Sequence, residues 1–293
     1  MVRFGWPPTK VPCWPACSGL APTSRGGERL VSTGIGEGTA RQESATTPGP
    51  APASTIADHE FAHRLVLWDV DGTLLTTGPA GRIALEAAAA RVAGIREVPQ
   101  VVMGGKTDPQ IVTEILALSG MKRVHIDRVL PAALMEAEAV LASETERIRA
   151  EGRVHAGVRD LLARLAAVDG VRQSLLTGNV RRNAVVKVAA FDLDRYFDFD
   201  IGAYGTDHAE RNCLVPIALH RATELRGEQY AADEVWVVGD TAHDLSCARA
   251  GGVRALIVGT GHEGFRAVRT LDADCLVEDL SDTEVTAKIL LGT

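Results

Sequence analysis

The segment "LVLWDVDGTLL", residues 65–75, limits what this chain can fold into more than any other stretch. Leu65, Val66, Leu67 and Trp68 form an unbroken apolar run, the pattern of a strand covered on both faces, as in parallel sheets layered between helices. The run ends in two acids. Side chains two apart in an extended chain point the same way, so Asp69 and Asp71 face one point above the strand's C-terminal end if that geometry continues past Val70. Like charges that close call for a cation.

From residue 64 onward, short apolar runs alternate with helical stretches, which is the order of a parallel sheet wrapped by helices. Five runs read as strands, at 65–68, 171–176, 197–203, 235–238 and 255–258, with 275–277 as a weaker sixth. Four of them end in "WDVDG", "LLTGN", "GAYGTDH" and "VVGDTAHD". Ligands of open α/β sheets sit at that carboxyl edge. The first two strands are about a hundred residues apart, far more than one crossover helix needs, and the gap is helical in pattern. "GRIALEAAAARVAG" is Ala-rich, and "TDPQIVTEILALSG" begins with an Asp cap candidate and Pro109 and stops at Gly120. "IDRVLPAALMEAEAVLASETERIRAEG" runs to Gly152 and is expected to break or kink at Pro131. The expected fold is α/β: a Rossmann-like, three-layer parallel sheet core, residues 63–78 and 153–293, with an inserted α-helical cap, residues 79–152.

Residues 1–62 read differently. They hold 8 of the 13 prolines, including "TTPGPAPAST", and no sustained apolar period, so a disordered or loosely ordered extension is expected. Five basic and five acidic residues balance there, which leaves the net charge of −7 to the remainder and argues against a nucleic-acid surface. No apolar stretch reaches the ~20 residues that span a bilayer, and no signal-peptide pattern opens the chain, so a cytoplasmic protein without a membrane partner is expected. Cys13, Cys17, Cys213, Cys247 and Cys275 give neither a disulfide framework nor a paired zinc pattern. No heptad or large apolar stripe outside the presumed core points to an assembly, which leaves the oligomeric state open.

In this order and at these distances, "DVDGT", "LLTGN" and "GDTAHD" resemble motifs one, two and four of the haloacid dehalogenase superfamily, in its phosphoglycolate-phosphatase-like branch with a helical cap. The resemblance covers residues 64 to about 280 and implies a Mg2+-dependent phosphatase acting on a small phosphorylated metabolite. The residues suit that chemistry. Asp69 carries a carboxylate able to attack phosphorus and form an aspartyl-phosphate, and Asp71 can protonate the leaving alcohol and then deprotonate the attacking water. The resemblance also makes the Asp71 carbonyl a metal ligand beside Asp69, Asp240 and Asp244, the last direct or through water. Hard oxygen donors suit magnesium. Thr177, with the amides of Gly178 and Asn179, is placed to hold phosphate, and Asn179 is also a natural helix N-cap.

The family expects a Lys after the third strand. This chain has Arg211 there, whose planar fork can grip phosphate and carboxylate together. Lys106, in "VMGGKTDPQ", is a specificity candidate that would favour an anionic leaving group. Asp71 argues against dehalogenase and phosphonate-hydrolase branches, which lack that acid. A β-phosphoglucomutase-like sugar phosphomutase remains as an alternative, as does a catalytically idle phospho-ligand-binding protein.

Overall fold

A computed structural model describes residues 63–262 and 264–293. The expectations for residues 1–62, Cys13 and Cys17 among them, fall outside these. Six strands build one sheet: β1 (Arg64–Trp68), β4 (Val171–Thr177), β5 (Ala203–Tyr204), β6 (Val235–Gly239), β7 (Arg254–Val258) and β8 (Cys275–Val277). They lie in the order β5-β4-β1-β6-β7-β8, every neighbouring pair parallel. β1 is therefore central, and the chain leaves it toward β4 on one side before returning to β6 on the other. This reversal opens a crevice at the carboxyl ends of β1, β4 and β6.

The alternation along β1 sorts two cores. Val66 and Trp68 pack with Leu175, Val238 and Leu256 beneath α5 (Val158–Ala166), α6 (Arg181–Ala189) and the C-terminal α10 (Thr283–Leu291), while the four-residue α9 (Phe265–Val268) lies between β7 and β8. Leu65 and Leu67 pack with Leu176, Val235 and Val237 beneath α7 (Leu214–Arg226) and α8 (Ala242–Gly251). Both faces of the strand are thus dry, as its unbroken apolar run implies.

Four helices stand between β2 (Leu75–Thr76) and β3 (Arg153–Val154), which pair antiparallel: α1 (Ala80–Ala93), α2 (Asp108–Leu118), α3 (Arg123–Ser143) and α4 (Thr145–Glu151). α1, α2 and α3 share an apolar cluster of their own that includes Leu85, Ile111, Ile115, Leu116 and Ile126. Among the described residues no helix is long and apolar enough to cross a membrane.

Two expectations are corrected here. α3 runs through Pro131 unbroken, and the chain breaks instead at Glu144. Pro131 is exposed, so the carbonyl that loses its helical partner there faces water, which can satisfy it. The run 197–203 contributes only Ala203–Tyr204 to the sheet, paired with Leu176 and Thr177. The alternating "FDFD" mimics a strand, but its acids turn outward to arginines: Asp198 binds Arg226 at 2.7 Å and Asp200 binds Arg181 at 2.7 Å.

Candidate active site

Asp69 continues the sheet one step beyond β1, its amide donating to the Val238 carbonyl at 2.9 Å. The chain then turns at Gly72 with φ +88°, where a Cβ would stand 2.5 Å from Asp240 Oδ2. Glycine is required there on both counts: the left-handed backbone and the close approach of an acid. Asp240 follows β6, and its Oδ1 accepts from Thr73 Oγ1 at 3.0 Å. Asp244 lies in the first turn of α8, where its Oδ2 accepts from the Thr241 amide at 3.0 Å and hydroxyl at 2.7 Å, a reciprocal capping arrangement. Asp244 Oδ1 accepts from Arg211, whose guanidinium also reaches Asp69 Oδ1 at 3.0 Å. Asp244 therefore both caps its helix and pairs with an arginine, and it still joins the acidic cluster.

The carboxylates of Asp69, Asp240 and Asp244 are buried and offer oxygens within 4.8 Å of one another. Burial, opposed by Arg211 and reinforced by Asp244 and Asp71, pushes the Asp69 carboxyl up to about 6. Burial together with Asp244 and Asp69 pushes Asp240 up to about 8. Burial opposes the Arg211 charge, but Asp244 and Asp69 outweigh it and hold the guanidinium firmly charged. Three hard oxygen donors around one point, with Asp240 bonded by a hydroxyl rather than by a cation, fit a divalent ion of the hard class.

A pH dependence of stability follows. Acids raised in the folded state hold protons that the unfolded chain releases near its ordinary carboxylate pKa. That contribution is complete below ~4 and is lost as pH rises through about 6 for Asp69 and about 8 for Asp240. With a chelator present, Tm should fall between about pH 5 and about pH 9, and adding Mg2+ should raise it most at the alkaline end. A flat profile would contradict the cluster described here.

Asp71 turns away from this trio and is half-exposed to the crevice. Its Oδ2 accepts from Lys187 Nζ at 2.6 Å and from Asn179 Nδ2 at 2.8 Å. Asn179 also donates to Thr177 Oγ1 at 2.8 Å, and its backbone amide approaches the same hydroxyl at 3.4 Å. Asn179 is not the helix cap expected from sequence: α6 starts at Arg181 after Val180, and the Val180 amide donates to Asp108 Oδ2 at 2.9 Å. Asp108 is free for this because Thr107, not Asp108, caps α2, accepting from the Gln110 amide. Burial first of all, offset by Lys187 and the Val180 amide, pushes Asp108 up to about 6.

The loop before α2 presses on the sheet edge. Gly178 must be glycine, since a Cβ there would meet the Lys106 carbonyl at 2.4 Å, and its own carbonyl accepts from the Asp108 amide at 2.8 Å. Thr107 Oγ1 donates to the Ala209 carbonyl, and Arg211 reaches the Gly105 carbonyl at 3.4 Å. Lys106 lines the crevice, but its Nζ lies 2.5 Å from Glu114 Oε2, which offsets much of its charge. The partly open crevice has a volume of about 1020 Å³, with Asp69, Asp71, Arg211 and Asp240 on its sheet side and Arg82, Leu85 and Val101 from the insertion opposite.

Asp69, Asp71, Thr177, Gly178, Asn179, Lys106, Arg211 and Asp240 all line this one cavity, and Asp244 stands beside it. Sequence reasoning missed Lys187, Thr73 and the outward reach of Asp108. Lys187 had a readable signal: Asn183 and Lys187 stand four residues apart, on one side of α6, in line with the strand-end word that precedes it.

Fold and site together define an α/β protein with buried carboxylates gathered at the carboxyl ends of parallel strands. Residues 63–252 match the haloacid dehalogenase-like hydrolases, and the chain belongs to that family. A phosphoglycolate phosphatase of Pseudomonas fluorescens is 29% identical over 224 residues, which are 74% of this chain and 77% of the relative. A pyrophosphatase, PpaX, of Halalkalibacterium halodurans is 26% identical over 113 residues, 39% of this chain and half of the relative's length. The crystal structure of β-phosphoglucomutase from Clostridium difficile shares the fold with a TM-score of 0.57 at 15% identity, over 78% of this chain and 96% of that one.

Proposed function

We propose that this chain is a Mg2+-dependent phosphatase that hydrolyses a small phosphorylated metabolite, phosphoglycolate-like in class. The observation that carries the reading is the placement of Asp69: a buried carboxylate at the tip of the central strand, 3.0 Å from a guanidinium and inside a three-acid cluster. Phosphatase-named relatives at modest identity support it. Asp69 attacks phosphorus, the bond from phosphorus to the alcohol oxygen breaks, and Asp71 gives that oxygen a proton. Water then attacks the aspartyl-phosphate, Asp71 takes the water's proton, and Asp69 is released. Arg211 and Thr177 orient the phosphoryl oxygens, and the helical insertion acts as a cap that excludes bulk water. Asp69, Asp240, Asp244 and the Asp71 carbonyl would hold Mg2+, which supplies positive charge against the clustered acids and the phosphate.

The test is phosphate release from p-nitrophenyl phosphate and from a panel of small phosphorylated metabolites, with Mg2+ and with a chelator. Release should require the metal and should fall by at least about 100-fold without it. Equal rates in both conditions would sink the reading.

A further inference from the structure

Lys187 has no part in the mechanism so far, yet it is a buried and firmly anchored cation in the crevice. It is only 5% exposed, although it projects from the middle of α6 toward the cavity. Its Nζ sits 2.6 Å from Asp71 Oδ2 and 2.6 Å from Asn179 Oδ1. A Cβ on Gly81, in the first turn of the insertion, would stand 3.3 Å from that nitrogen, so the insertion roofs it. A buried ammonium is costly unless paired, and this one is paired with a side chain that has chemistry to perform.

The geometry at Asp71 is one-sided. Oδ2 takes both donors, Lys187 Nζ and Asn179 Nδ2, while Oδ1 has no hydrogen bond among the described residues. Fixing one oxygen of a carboxylate fixes the plane of the other. We propose that Lys187 is a positioning residue for the reaction: with Asn179 it clamps Asp71 Oδ2, so that Oδ1 is the atom that gives the proton to the departing alcohol oxygen and takes it back from water. Asn179 is itself fixed by Thr177, so the clamp ties the acid–base group to the strand end assigned to phosphate binding. On the insertion side, Asp108 lies close enough to interact electrostatically with Lys187, and Gly81 packs near its ammonium.

This inference rests on the phosphatase reading, and a double-mutant cycle on the full chain separates the two. Lys187→Met should lower kcat on p-nitrophenyl phosphate by about 30- to 100-fold, part of what a general acid–base group supplies, with KM changed less than about threefold because Lys187 touches Asp71 rather than phosphate. Lys187→Arg should recover part of the loss. In an Asp71→Asn background, Lys187→Met should cost less than about threefold, since a residue acting through Asp71 has nothing left to position. Multiplying losses in the double variant, or a large KM rise with kcat intact, would overturn the assignment, even with an active wild type. If Lys187→Met fails to fold, the same cycle is run with Lys187→Arg, whose bulk and charge are retained, and independence from Asp71→Asn again overturns it. A wild type with no metal-dependent release removes the phosphatase reading itself.

Discussion

Asp69→Asn is expected to cut kcat by at least about 10⁴-fold, because an amide oxygen cannot replace the carboxylate that forms the bond to phosphorus. The substitution keeps the shape and an acceptor for Arg211, so the fold should survive. Asp69 is raised to about 6 by burial and by the neighbouring Asp244 and Asp71, which means its charge is held at a cost in the metal-free state. Removing it should leave Tm in chelator unchanged or higher. Phosphate release and a melting curve on the same preparation check both statements. A residual rate within tenfold of the wild type would remove Asp69 as nucleophile.

Arg211→Ala should be the most damaging change to the folded state. Arg211 is almost wholly buried between Asp69 and Asp244, and its loss leaves those acids facing each other without a cation. Removing one partner of a buried pair costs about 3–5 kcal/mol. For a folded unit of this size that is roughly 10 °C in Tm, at about 2–4 °C per kcal/mol. The loss should shrink at low pH, where Asp69 and Asp240 take up protons, and on addition of Mg2+, which offsets the same charge. Arg211→Lys keeps the charge but not the fork that spans two carboxylates, so it should fall between. A drop below about 2 °C for Arg211→Ala would mean the acids find another partner.

Much of this was legible in the chain because strand ends carry their chemistry in short, contiguous words. "WDVDG" placed Asp69, and "VVGDTAHD" placed Asp240 and Asp244, beside the strand ends. The expectation that Asp71 faces the same point as Asp69 does not hold, because the turn at Gly72 swings it to Lys187 and Asn179 instead. Arg211 was readable from its place after the third strand. What escaped was chemistry written at helical spacing inside apolar sequence: Lys187 stands in "NAVVKVAAF", where valines and alanines suggest core, and its partner Asp71 lies 116 residues away in sequence. The role of Asn179 was misjudged for a related reason. Its type suits a helix cap, but α6 begins after Val180 without a side-chain cap, and Asn179 is engaged instead with Asp71, Thr177 and Lys187. The proline in α3 misled because the cost of a lost backbone bond depends on whether water can reach it.

The attachment of the helical insertion is lopsided. Near its two chain crossings at β2 and β3 it rests on the core through oil: Ala80, Ala84, Leu141 and Ile148 against Ala190 and Phe191. At its far rim Gly105, Thr107 and Asp108 are hydrogen-bonded to Arg211, Ala209, Gly178 and Val180. Water competes for hydrogen bonds at the rim and gains nothing at the apolar side, so the rim beside Arg211 is the part of this attachment expected to yield first, as faster amide exchange at Asp108 and Val180 than in α1 would show.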